Sequence, residues 1–214
     1  MMFALSERAQ DFITRTQAFI QQEIEPIEKA FWDEVHQLNV DGDWTKWQWP
    51  AQLEQLKTKA KAAGLWNMFL PDTELGAGLS VQEYAHIAEL TGRSLLAPTV
   101  FNCNAPDSGN MEVLWRYGSD EQKRQWLQPL LAGEIRSVFC MTEPAVASSD
   151  ATNMQATAVI DGDEIVLNGR KWWSSGLGDP NAKVIIFMAY TPDPNKDRHH
   201  QHSMVLVPID TQGE

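Results

Sequence analysis

At 214 residues, 43% hydrophobic and 21% charged, the chain has the composition of a globular protein with a sizeable core, not of a disordered one. Seventeen Lys and Arg against 29 Asp and Glu give a net charge of −12, which excludes nucleic acid as a partner because such binding needs a basic face. Two cysteines, Cys103 and Cys140, are too few for a disulfide framework. The N-terminus lacks the apolar region of a signal and no apolar run is long enough for a membrane span, so the expected address is cytoplasmic.

In chain order, Leu5, Phe12, Ile13, Phe19, Ile20 and Ile24 fall largely on one face at helical spacing, and Pro26 is expected to close that helix. A second helix follows over residues 27–38. Residues 39–49 form a polar loop whose Trp44, Trp47 and Trp49 read as packing or contact surface. Pro50 suits the first turn of a helix that Gly64 stops. Ser80 with Glu83, and later Ser119 with Gln122, have the spacing of capping boxes. Between them a helix is expected over residues 99–117, and Gly133 ends the last one.

The period then switches from helical to alternating. Short strands are expected over residues 138–141, 155–160, 164–167, 184–190 and 204–207, with Asp161-Gly162 as a two-residue hairpin turn. Helices followed by strands make the fold class α+β: an N-terminal all-α domain over residues 1–135, then a β domain over 136–214.

Within the β part, Phe139-Cys140-Met141-Thr142-Glu143-Pro144 is an apolar run that Pro144 must end, because proline brings no backbone donor. The small residues and hydroxyls that follow, Ser148 and Ser149 among them, would let an anion approach the backbone. By itself this is an ordinary surface turn. It gains meaning from Asn168-Gly169-Arg170-Lys171-Trp172-Trp173-Ser174-Ser175-Gly176 further on. Together the two stretches resemble the FAD-binding segments of the acyl-CoA dehydrogenase family: a strand ending in Thr-Glu-Pro, then Asn-Gly-x-Lys-x-Trp with a hydroxyl two residues later. The spelling is similar to one branch, whose animal members can be fused to a kinase-like domain.

The resemblance implies an antiparallel, β-barrel-like middle domain, incomplete here, and the α,β-dehydrogenation of an acyl-CoA thioester. It implies FAD as cofactor, an electron-transfer flavoprotein or similar acceptor as partner, and a homo-oligomer at full length. Phe139, Cys140, Met141 and Thr142 would lie along the flavin, and Ser148 near its pyrophosphate and the thioester substrate. Trp173, Ser174 and Ser175 would meet the ring, with the indole as a shield and a hydroxyl beside N5. Ala145 and Ala147 depart from the glycines common in the family, and Ser149 from its aspartate.

No catalytic residue is assigned. The family's proton acceptor sits on a further helical domain, so the chain alone is expected to be inactive and to bind FAD weakly or not at all. Glu143 reads as a structural partner at the Pro144 turn. Because the net charge would repel an anionic cofactor, a site needs local cations, and Arg170, Lys171, Lys183, Lys196 and Arg198 supply candidates. His199, His200 and His202 read as solvent-facing, not as metal ligands. The competing functions are a non-catalytic interaction module using the Trp44–Trp49 loop and an exposed β edge, or one half of a split enzyme. A flavin oxidase or monooxygenase on the same scaffold is the nearest variant.

Overall fold

The computed structural model describes residues 4–213. The chain divides into two compact units, one ending at Gly133 and the other starting at Glu134. No helix among the described residues is long and apolar enough to cross a membrane.

The first unit is helical. Helix α1 (Glu7–Phe19) starts at Ser6, whose hydroxyl accepts the Ala9 amide. Pro26 does not close it. The chain instead makes a π-helical turn over Ile20–Ile24, in which the Glu25 N–H reaches back to the Ile20 carbonyl, and runs straight on into α2 (Glu25–Leu38). The wider turn accommodates a residue that lacks an N–H and whose ring would strike the preceding turn.

Helices α3 (Gln52–Ala62) and α4 (Val81–Thr91) follow, the latter opened by the expected Ser80–Glu83 capping box. The helix expected over 99–117 is two helices, α5 (Ala97–Val100) and α6 (Asp107–Tyr117). Asn102 breaks it with a φ of +54°, held there because its side-chain amide donates to Asn67 Oδ1 at 2.7 Å and to the Leu130 carbonyl at 2.9 Å. Tertiary hydrogen bonding has overridden local propensity.

After α7 (Asp120–Gln122) and its Ser119–Gln122 capping box comes a second π turn, Lys123–Leu127, and then α8 (Gln128–Ala132). Here too a proline, Pro129, stands two residues past the end of the turn. Gly133 ends α8 at φ +71°. The carbonyls of that last turn are capped from elsewhere: Trp66 Nε1 and Asn67 Nδ2 donate to Leu131 O, and Lys61 Nζ to Ala132 O.

The core of this unit collects Phe12, Phe19, Ile24, Phe31, Leu56, Met68, Ile87 and Phe101, with Phe19 and Phe101 edge to face at 5.3 Å. Trp47 and Trp49 pack against it beside Trp32, while Trp44 is exposed.

The second unit is a five-stranded sheet: β1 (Arg136–Cys140), β2 (Thr157–Asp161), β3 (Glu164–Asn168), β4 (Ala182–Tyr190) and β5 (His202–Pro208). The α+β reading holds, but the sheet is mixed where antiparallel pairing was expected. β2–β3 and β4–β5 pair antiparallel, whereas β1 meets β4 in parallel along Ser137↔Val184 to Cys140↔Phe187, and β2 touches β4 in parallel at Thr157↔Tyr190. A parallel pair needs a long crossover, and residues 141–181, with the β2–β3 hairpin inside them, supply it. The hairpin turn sits one residue later than expected: Asp161 pairs with Glu164, leaving Gly162 and Asp163 as the loop, with Gly162 at φ +62°. That hairpin projects from the sheet with Val159, Ile160, Ile165 and Val166 all exposed.

Candidate functional site

The chemistry foreseen for the second unit gathers where β1 ends and where the chain returns after β3. Phe139 and Cys140 are the last residues of β1, with Met141 and Thr142 just beyond it. The Thr142 carbonyl accepts the Trp172 N–H at 2.8 Å, which joins the two motif stretches. Close by, the 3-10 turn Ser175–Gly178 packs on β1: a Cβ at Gly176 would stand 3.3 Å from the Ser137 carbonyl.

Lys171 makes the second join. Its buried ammonium donates to the Met141 carbonyl at 3.0 Å and to Glu143 Oε1 at 2.8 Å. It also lies 4.9 Å from the centroid of the Phe187 ring on β4. Glu143 in turn accepts the Gln155 and Ala156 amides at 2.8 and 2.9 Å. Burial alone would raise the Glu143 carboxyl, but the Lys171 hydrogen bond and the two amides outweigh it and hold the group below its ordinary range.

Gly169 explains the glycine of the motif. At φ +149° it passes so close to Ala156 that a Cβ would lie 2.5 Å from that residue's own Cβ.

Trp172 and Trp173 stand on this frame with ring centroids 4.9 Å apart, and both are exposed. Trp173 adopts φ +58°, a conformation that a bulky side chain rarely takes and that tends to occur at functional positions. Beside it the Ser174 hydroxyl is buried and meets no acceptor at hydrogen-bond geometry. It lies near the Cys140 thiol, which burial pushes up and which Ser174 and Lys171 pull the other way. A raised thiol is a poor nucleophile. The Thr142 and Ser175 hydroxyls make no hydrogen bond within the described residues.

The Ser148 hydroxyl is already engaged within the chain. Its Oγ accepts the Glu143 N–H at 2.7 Å, closing the 143–148 loop. The next residues are tied to the 191–201 loop, since Arg198 bonds to Asp150 and to the Thr152 hydroxyl.

The local cations are largely spent inside the chain. Lys171 serves Glu143, Lys196 faces Asp193 and Arg198 faces Asp150, which leaves Arg170 and Lys183 without ion pairs among the described residues. His200 pairs with Asp197 and His202 packs on Tyr190. No three His, Cys, Asp or Glu side chains are grouped as metal ligands among the described residues.

Two unengaged hydroxyls, a buried hydroxyl without a partner and an exposed indole in a strained turn thus belong to the two stretches joined at the end of β1. Sequence reasoning named Thr142, Trp173, Ser174 and Ser175. It took Lys171 as one cation among several, and only the Lys-x-Trp spacing of the motif set it apart.

Comparison with known proteins bears on this. Residues 6–134 match the family model of the acyl-CoA dehydrogenase N-terminal domain, and residues 138–214 that of the acyl-CoA dehydrogenase middle domain. Over 212 residues the chain is 52% identical to acyl-CoA dehydrogenase family member 11 of Mus musculus, covering 99% of this chain and 27% of that protein. A solved structure described as an acyl-CoA dehydrogenase from Mycobacterium abscessus superposes with a TM-score of 0.91 at 62% identity, over 99% of this chain and 52% of the other. A glutaryl-CoA dehydrogenase from Mycobacterium smegmatis, solved in complex with FADH2, gives a TM-score of 0.67 at 25% identity, over 98% and 47%. The chain thus spans about a quarter of the mouse relative and about half of each solved chain.

Proposed function

The chain belongs to the acyl-CoA dehydrogenase family, and on that premise we propose that it carries the flavin-facing wall of an FAD-dependent oxidoreductase that removes hydrogen from Cα and Cβ of an acyl-CoA thioester. The observation that supports this most is the join of the two motif stretches through Trp172 N–H and Thr142 O, with unengaged hydroxyls on either side of it. When bound, the flavin supplies the acceptor for the β-hydrogen as hydride.

The chain's own residues bind and orient. The backbone from Phe139 to Met141 offers a straight edge, the Thr142 and Ser175 hydroxyls offer hydrogen bonds, and the Trp173 indole offers a broad apolar face that excludes water. Ser174 adds a buried hydroxyl with unused hydrogen-bonding capacity. Ser148 keeps the small-residue loop closed on the side where the pyrophosphate and the thioester would pass. Arg170 and Lys183 are the cations left to offset the chain's negative charge. None of these residues is assigned to proton abstraction, and Glu143 is unsuited to it because Lys171 and two amides hold it ionised and occupied. A cytoplasmic address, a homo-oligomer and an electron-transfer flavoprotein as acceptor belong to the same proposal.

Titrating FAD into the purified chain while following tryptophan emission tests the reading. Weak, saturable quenching is expected, lost in Trp173→Ala and reduced in Thr142→Val. Quenching of equal size in the unaltered chain and in both variants would overturn it. The exposed apolar residues of the β2–β3 hairpin are the one feature favouring an interaction module instead, a role that predicts association of the chain without any flavin response.

A further inference from the structure

Lys171 and Glu143 lie outside the set of residues that would touch a flavin, yet every segment that would touch one is tied to them. The Lys171 ammonium holds the end of β1 through the Met141 carbonyl, and it holds Glu143 one residue past Thr142. Glu143 holds the return of the loop through the Gln155 and Ala156 amides. Ala156 is the residue against which Gly169 packs, two positions before Lys171. The circuit closes on itself and leaves Trp172 next in sequence, bonded to Thr142.

The pair is also deeply placed, with the two side chains 6% and 4% exposed. Two charges removed from water give up hydration that their mutual attraction only roughly offsets, so a buried pair is weak evidence of stability for its own sake. Two apolar side chains of the same volume would pack here as well. They would not fix the height of the Met141 carbonyl relative to the Trp172 amide, and that is the one thing this arrangement does that packing cannot.

We propose that Lys171 and Glu143 are a positioning pair, whose bridge from the β1 end to the residue before Trp172 sets the Trp172–Ser175 turn in register to receive the flavin. The inference rests on the function proposed above and adds to it two residues that act only through others. It predicts order of the turn before any ligand arrives, and a response that depends on the donor at position 171 and not merely on its charge.

The test uses the purified chain and its Lys171→Met, Lys171→Arg and Glu143→Gln variants, with FAD as the probe. Hydrogen exchange at the Trp172 amide is read first, then FAD affinity. Lys171→Met is expected to speed exchange at Trp172 and to weaken FAD about 10- to 100-fold, the range over which outer partners tune a bound group. Lys171→Arg, which can still donate to both oxygens, should recover most of both. Glu143→Gln keeps the Met141 bond and the shape of the side chain, and should give a change of the same sign. A folded Lys171→Met or Glu143→Gln chain with protected Trp172 and undiminished FAD affinity would overturn the pair's role. Absence of FAD binding by the unaltered chain would refute flavin binding by this chain alone, and the exchange result would still decide whether the pair orders the turn.

Discussion

Two glutamates, one in each unit, do opposite work with the same functional group. Glu83 sits at the surface of the helical unit. Its Oε1 accepts the amide and hydroxyl of Ser6 at 3.2 and 2.6 Å, and its Oε2 the amide and hydroxyl of Ser80 at 3.0 and 2.9 Å. One carboxylate therefore fastens the N-cap of α1 to the N-cap of α4, where the helix dipoles also favour negative charge. Those hydrogen bonds, the Ser6 hydroxyl foremost, pull its pKa down to about 2. Glu143 is buried and answered by an ammonium. The exposed group loses little hydration and strengthens two helix starts, while the buried one loses much and gains position. The difference teaches that a carboxylate's count of hydrogen bonds says less about its role than the solvent it has given up.

The comparison can be broken most sharply at Glu143. Glu143→Ala leaves the Lys171 charge buried with no counter-ion, which should cost about 3–5 kcal/mol and be seen as early loss of the sheet unit in denaturant melts followed by β-specific circular dichroism. Next in size is Gly169→Ala. The added methyl meets Ala156 in a backbone conformation that disfavours any side chain, and about 1–3 kcal/mol of destabilisation is expected by the same melts. If Gly169→Ala were neutral, the close approach beside the ion pair would not matter.

The smallest effect should come from Glu83, and its signature is pH. Because the folded-state pKa is depressed from 4.5, its contribution is present above about pH 4.5 and is lost as pH falls toward about 2. Glu83→Gln should lower the stability of the helical unit near neutrality, leave it little changed near pH 2, and so flatten the acid limb between the two. An unaltered acid limb would show that the clasp on Ser6 and Ser80 is idle in solution.

What could be read in the residues follows the same division between near and far. The Ser80–Glu83 and Ser119–Gln122 boxes were legible because both partners lie within one turn, and the small-residue stop at Gly133 likewise. That Glu83 also holds Ser6, 77 residues away, leaves no trace in local pattern. Asn102 looked like a helix residue because the bonds that turn it over come from Asn67 and Leu130. The parallel β1–β4 pairing was hidden for the same reason, since its partners stand on either side of a long crossover. At the site, Thr142, Trp173, Ser174 and Ser175 could be named from motif spelling. The partnership of Lys171 with Glu143 needed coordinates, because a lysine in a basic stretch reads equally well as a free cation.

The π turn at Ile20–Ile24 carries a consequence for the helix on either side of it. The buried positions Ala9, Phe12, Thr16 and Phe19 set a cadence that an unbroken helix would continue at 23, 26 and 30. After Ile20, which opens the turn, the core-facing positions are Ile24, the partly buried Ile27 and Phe31, each a single step late. The turn therefore acts as a spare letter that resets the frame of the helix by one residue, about 100° of rotation. Excising any one of residues 20–24 would restore an even rhythm and swing Phe31 and Val35 out toward water.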